Sequence, residues 1–60
     1  MKVYSKVFNN SLIEIFKTED DTGFEFVVKN LTSKREHTGW SATKVSANKQ
    51  AKEKANKIAK

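Results

Sequence analysis

Ala47, Ala51, Ala55 and Ile58 recur at intervals of four, four and three residues, and on a helix of 3.6 residues per turn that spacing gathers them within roughly 80° of arc. A chain with this pattern must pack something against that narrow face. Lys49, Glu53, Lys57 and Lys60 fall on the opposite side. Ala, Lys, Gln and Glu are strong helix formers, so pattern and propensity agree on a helix over residues 44–60. Thr43 or Ser46 can cap its start, each with a polar residue three or four positions on.

A face made mostly of alanine allows close approach but adds little apolar volume, so the layer beneath it must supply the bulk. That layer is legible upstream. Lys2 to Phe8 alternates, Val3, Ser5 and Val7 on one side and Tyr4, Lys6 and Phe8 on the other, with the β-branched and aromatic content of a strand. Asn9-Asn10 tolerates left-handed backbone and serves as a tight turn. Ser11 to Lys17 reads as a second strand, Ile13 and Ile15 on one face and Leu12, Glu14 and Phe16 on the other. Thr18 to Gly23, TEDDTG, is a turn cluster whose final glycine can accept positive φ. Phe24 to Asn30 gives a third strand, with Phe24, Phe26 and Val28 opposite Glu25, Val27 and Lys29, and after the polar stretch Asn30 to Lys34 a fourth strand runs from Arg35 to Trp40. A single bent strand with a bulge at Asn9-Asn10 would instead leave three strands, and spacing alone does not choose. Short turns favour an antiparallel meander with the helix folded back over one face. The expected fold is therefore one α+β domain over residues 1–60, a three- or four-stranded antiparallel sheet at about 2–40 and a C-terminal helix at about 44–60. Its inner face is expected to hold Ile13, Ile15, Phe24 and Phe26, with Trp40 closing the end near the helix start.

At 60 residues a domain buries only about 60% of the surface its unfolded chain exposes, and its stability is marginal. With no cysteine there is no disulfide or thiolate metal site, and the lone His37 does not build an ordinary zinc site, so no metal or cofactor is expected. Neither an apolar run after Met1 nor a membrane-spanning stretch is present, and the expectation is a soluble, cytoplasmic protein without membrane contact. Catalytic constellations are thin. Any Ser-His-Asp arrangement would have to use His37. The paired carboxylates Glu19, Asp20 and Asp21 sit in a turn as solvated charges and lack the spacing of a calcium loop. Gly23 and Gly39 stand alone and make no phosphate-cradling loop, and so short a chain leaves little room for a substrate pocket. A non-enzymatic binding module with no small-molecule substrate is what remains.

The net charge of +5 is informative once located. Residues 1–42 hold six cations and six acids, whereas residues 43–60 hold six lysines and Glu53 alone, so the whole excess sits on the terminal helix. Such a concentration is the electrostatic footprint of a partner bearing phosphates or acids, or else a solubilising coat. Lys44, Lys49 and Lys52 lie in the N-terminal half of the helix, where the helix dipole also favours phosphate. Lys34 and Arg35, with His37, sit at the last strand and are further candidate contacts to DNA or RNA. Trp40 is either a stacking platform or, more commonly for a lone tryptophan, core. The sheet face away from the helix would carry Leu12, Phe16 and Val27, joined by Val3 and Val7 or by Tyr4 and Phe8. One helix cannot cover both sides of a sheet, so this face is a candidate for homodimerisation or for a protein partner.

The octet Asn48-Lys49-Gln50-Ala51-Lys52-Glu53-Lys54-Ala55 resembles the Lys-Lys-x-Ala-Lys-x-x-Ala opening of the last helix in double-stranded RNA-binding domains, which follows a three-stranded sheet. That resemblance implies phosphate contacts at Lys49 and Lys52. Asn48 stands where that family has the first lysine, the Gly-x-Gly-x-Ser lead-in is absent, and the chain opens with a strand pattern where the family has a helix. The order of strands followed by a helix also resembles the DNA-binding domains of plant ethylene-response factors and the arm-binding domains of tyrosine integrases, whose outer sheet face enters the major groove. In this chain that face would hold Leu12, Phe16 and Val27, more apolar than groove contact favours. Both are likenesses of layout, and layout does not establish function.

Overall fold

The computed structural model describes residues 1–59 and consists of four strands and one helix: β1 (Lys2–Phe8), β2 (Ser11–Lys17), β3 (Phe24–Asn30), β4 (Glu36–Ser41) and α1 (Lys44–Ile58). The strands form one antiparallel sheet in the order β1-β2-β3-β4. α1 lies on one sheet face, chiefly over β2, β3 and β4. This is the expected α+β meander with a C-terminal helix, and the strand count is four.

The β1–β2 connection decides that count. Phe8 pairs with Ser11, and the two residues between them, Asn9 and Asn10, have φ of 48° and 62°. Two left-handed residues in a row match the right-handed twist of the flanking strands, so the chain reverses tightly instead of bulging. A bulge does occur, but earlier in β1: Lys2 pairs with Phe16 and Tyr4 with Ile15, leaving Val3 as the extra residue. From Tyr4 onward the register places Tyr4, Lys6 and Phe8 on the helix side and Ser5 and Val7 on the outer side. Val3, Tyr4 and Phe8 all pack against the core.

The β2–β3 turn is built differently from the expectation. Its left-handed residue is Asp21, with φ of 62°, and no glycine has positive φ. The threonines do the organising: Thr18 Oγ1 accepts from the Thr22 and Gly23 amides at 3.1 and 3.2 Å, and Asp20 Oδ1 accepts from Thr22 Oγ1 at 2.8 Å. Gly23 is required for space. A Cβ there would lie 2.5 Å from Trp40 Cζ2 and 2.7 Å from the Ser41 carbonyl oxygen.

In the β3–β4 connection, Asn30 joins three elements. Its Oδ1 accepts from the Thr32 and Ser33 amides at 2.9 and 2.8 Å, while its Nδ2 donates to the Ile58 carbonyl at the end of α1 at 3.0 Å. Lys34, with φ of 65°, completes the turn, and β4 starts at Glu36, one residue later than the alternation suggests.

Thr43, in extended backbone, is the N-cap of α1, its Oγ1 accepting from the Ser46 amide at 3.1 Å. The buried helix face is Ala47, Ala51, Ala55 and Ile58. Lys60, placed by its spacing on the outer helix face, lies outside the described residues. Opposite the alanines, Ile13, Ile15, Phe26 and Val28 are fully buried, each such side chain stabilising the fold by about 1.5–3 kcal/mol. Phe24 packs at the margin of this cluster, half-buried.

Trp40 does not close the core. Strand period and register put Glu25 opposite Trp40 and Phe26 opposite Gly39, so the glycine faces α1 and the indole faces outward, 51% exposed. The cause is volume. The Phe26 ring fills the space over Gly39, where an added Cβ would lie 2.3 Å from Phe26 Cζ, and no larger residue fits on that side.

Candidate functional site

The residues with binding chemistry separate onto two surfaces. The first is the seam between α1 and β1. Positions 44, 48, 52 and 56 form one row along the helix, and this row borders β1. Lys44 Nζ stands 5.8 Å from the centre of the Tyr4 ring, and Lys52 Nζ stands 5.7 Å from that of Phe8. At the far end Asn9 Nδ2 donates to Asn56 Oδ1 at 2.8 Å. The two cation–aromatic pairs match because eight residues of helix rise about 12 Å and four residues of strand about 13 Å. Between the two rings, on the same side of β1, stands the exposed Lys6. Each exposed cation–π contact stabilises by about 0.5–1 kcal/mol, enough to orient an ammonium group and too little to prevent it from turning to a phosphate.

Of the expected cationic contacts, Lys44 and Lys52 thus share one seam, and Lys49 sits one turn away on the exposed helix surface. Lys34 and Arg35 do not join them. They lie in the β3–β4 turn, which Asn30 ties to the C-terminal end of α1, at the opposite end from Lys44; a helix of 15 residues spans about 22 Å. Lys6, Tyr4 and Phe8 complete the seam. Alternation put these three on one side of β1, but choosing which side met the helix required the register and the bulge at Val3.

The second surface is the outer sheet face. Leu12, Phe16 and Val27 are all there, half-buried, as expected, together with Val7 and Trp40 at 57% and 51% exposure. Charged residues alternate with them. Lys2 pairs with Glu14 at 3.2 Å and Lys29 with Glu36 at 4.0 Å, and at the adjoining turn Lys17 pairs with Asp21 at 2.6 Å. Glu25, in register between Phe16 and Trp40, has no cationic partner among the described residues. An open cleft of about 650 Å³ runs beside it, lined by Phe16 and Trp40 and by Glu19 and Asp20 of the β2–β3 turn. Hydrogen bonds from the Thr22 hydroxyl and then from Thr18 hold the Asp20 carboxyl below the usual carboxylate range, so it is ionised at neutral pH.

Among the described residues no group of three His, Asp or Glu side chains converges as metal ligands. Among the same residues no helix is long and apolar enough to cross a membrane. Comparison with family models, curated proteins and solved structures returns no match to this chain.

Proposed function

We propose that this chain is a small nucleic-acid-binding module that takes the phosphate backbone along the α1–β1 seam, with Lys44, Lys52 and Lys6 as the principal cations and Lys49 beside them. The supporting observation is how charge is partitioned. Among the described residues all three ion pairs lie on the outer sheet face or at the β2–β3 turn. Lys6, Lys44, Lys49, Lys52, Lys54 and Lys57, and Lys34 and Arg35 at the β3–β4 turn, have no carboxylate partner among those residues. Cations left unpaired on one side of a small domain raise the local potential that draws phosphates, and the Tyr4 and Phe8 rings beneath two of them offer bases a surface to stack on. The reading carries a cytoplasmic location with it. Lys34 and Arg35 make, at most, peripheral contacts.

The test is fluorescence anisotropy with labelled single-stranded and duplex DNA and RNA of about a dozen nucleotides at two salt concentrations. Three neutralised phosphates give a log–log salt slope of about −2.1 on single strands to about −2.7 on duplex DNA, so a fourfold rise in salt weakens binding about 20- to 40-fold. Lys44→Glu with Lys52→Glu removes binding and lowers the thermal melt by no more than the two lost cation–π contacts, about 1–2 kcal/mol together, with the cooperative transition retained. An affinity indifferent to salt rejects the proposal.

A second reading, from a different class, is a protein-interaction or homodimerising module that uses the outer sheet face, the lysines then serving as a solubilising coat. The half-exposed Trp40 favours it, because tryptophan is concentrated at binding hot spots. In that case the mass by light scattering is dimeric and falls to monomer on Phe16→Glu or Val27→Lys.

A further inference from the structure

We propose that the cleft between Phe16 and Trp40 on the outer sheet face is a docking site for an arginine- or lysine-bearing segment of a partner protein, with Glu25 as the carboxylate that receives the cation. The inference does not depend on the nucleic-acid reading, which concerns the other side of the molecule.

Three observations carry it. First, the chain's single tryptophan is 51% exposed yet held in place: its indole occupies the space over Gly23, leaving no room for even a Cβ there. An aromatic platform fixed before binding loses little freedom when a ligand arrives. Second, Phe16, Glu25 and Trp40 are cross-strand neighbours on one face, so a carboxylate stands between two rings. Guanidinium and ammonium groups suit that arrangement, since they stack on an aromatic face and donate to a carboxylate together. Third, the charges are complementary to a cation and to nothing else. Glu14 and Glu36, the other carboxylates of this face, each have a lysine within 4.0 Å, whereas Glu25 has none among the described residues. Lys17, which lines the cleft, is engaged by Asp21 at 2.6 Å and leaves the charges of Glu19 and Asp20 standing. A phosphate would be repelled.

A second copy is a poorer occupant. A two-fold contact between outer faces would have to supply each Glu25 with a lysine of the other copy's outer face, and the lysines there, Lys2 and Lys29, are already paired with Glu14 and Glu36. A second copy's lysine helix laid in the cleft makes a head-to-tail contact, which ends in a ring only if its rotation closes and in a filament otherwise. A partner segment of extended form, with a basic residue next to an apolar one, satisfies Glu25 and covers Val27 at the same time.

The experiment is a Trp40 fluorescence titration of the full chain with an acetylated, amidated octapeptide alternating Arg and Gly, alongside the same peptide with Asp for Arg and a single-stranded DNA octamer. The Arg peptide shifts the emission and saturates; the Asp peptide and the DNA do not. Glu25→Gln, on an exposed side chain, keeps the parental melt and weakens the Arg peptide at least about tenfold, as expected for loss of a charge-assisted hydrogen bond. An equal response in Glu25→Gln overturns the proposal. So does a response to DNA matching that to the Arg peptide, or an emission shift that follows protein concentration alone with a rise in mass. Because the nucleic-acid reading is tested through Lys44 and Lys52, either can fail while the other stands.

Discussion

Phe26 and Gly39 face each other across β3 and β4, so close that a Cβ built on Gly39 would lie 2.3 Å from Phe26 Cζ. This one fit sets the direction of β4, sending Gly39 inward and Trp40 outward, and so creates the outer aromatic surface. Gly39→Ala must displace the ring or the strand and is expected to destabilise the fold by about 1–3 kcal/mol. Phe26→Ala removes a fully buried ring at about 3–5 kcal/mol, of the order of the whole stability of so small a domain. Circular-dichroism melts of the two variants check this: Gly39→Ala melts below the parent, Phe26→Ala shows little cooperative transition, and a parental melt for either refutes the fit.

Ser11 gives an expectation in the opposite direction. It is fully buried, and its hydroxyl has no hydrogen-bond partner among the described residues. A buried hydroxyl without a partner costs about 1–3 kcal/mol, most of which its removal returns. Ser11→Ala should therefore raise the midpoint of urea unfolding; a loss of more than about 1 kcal/mol would mean that the hydroxyl is hydrogen-bonded in solution.

The β2–β3 turn gives a pH dependence whose sign follows from Asp20. Hydrogen bonds from Thr22 and Thr18 lower its folded-state pKa below the unfolded value, so the folded state binds this proton less readily. The turn's contribution is complete above the unfolded pKa, about 3.9, and is lost as pH falls through the lower folded value. Amide exchange at Thr22 should accelerate over that acid window relative to neighbouring strand amides, after correction for intrinsic rates. Thr22→Val should reduce the effect, and an unchanged acid profile in Thr22→Val would contradict the assignment.

Most of the fold was legible because its strongest signals are local. The strand segments, a cap at Thr43 or Ser46 and the alanine face of α1 follow from alternation, capping chemistry and helical spacing within a few residues of each other; the choice of a turn over a bulge at Asn9-Asn10, and of Thr43 over Ser46, does not. What was not legible depends on contacts between segments distant in sequence. Trp40 is the clearest case: its own neighbourhood favours a core position, and only the fit of Phe26 over Gly39, thirteen positions along the chain, turns it outward. Gly23 likewise offers turn chemistry in sequence, but its function is to make room for an indole from β4. The seam residues Tyr4, Lys6 and Phe8 could be grouped but not assigned to a side, since a one-residue shift in strand register exchanges the faces. Lys34 and Arg35 are candidate contacts in sequence through their place at the last strand, but the turn that holds them lies at the other end of α1 from Lys44.

What stands or falls as a whole is the chemical segregation of the two faces, phosphate on the α1–β1 seam and a protein cation on the outer sheet. It is tested most directly by a two-dimensional ¹H–¹⁵N NMR titration of one labelled sample, first with a single-stranded DNA octamer and then with the Arg-Gly octapeptide. DNA is expected to move the resonances of Lys6, Phe8, Lys44 and Lys52 and to leave Phe16, Glu25 and the Trp40 indole where they were, and the peptide to do the reverse. Perturbation of the same resonances by both ligands, or of the outer face by DNA, would contradict it.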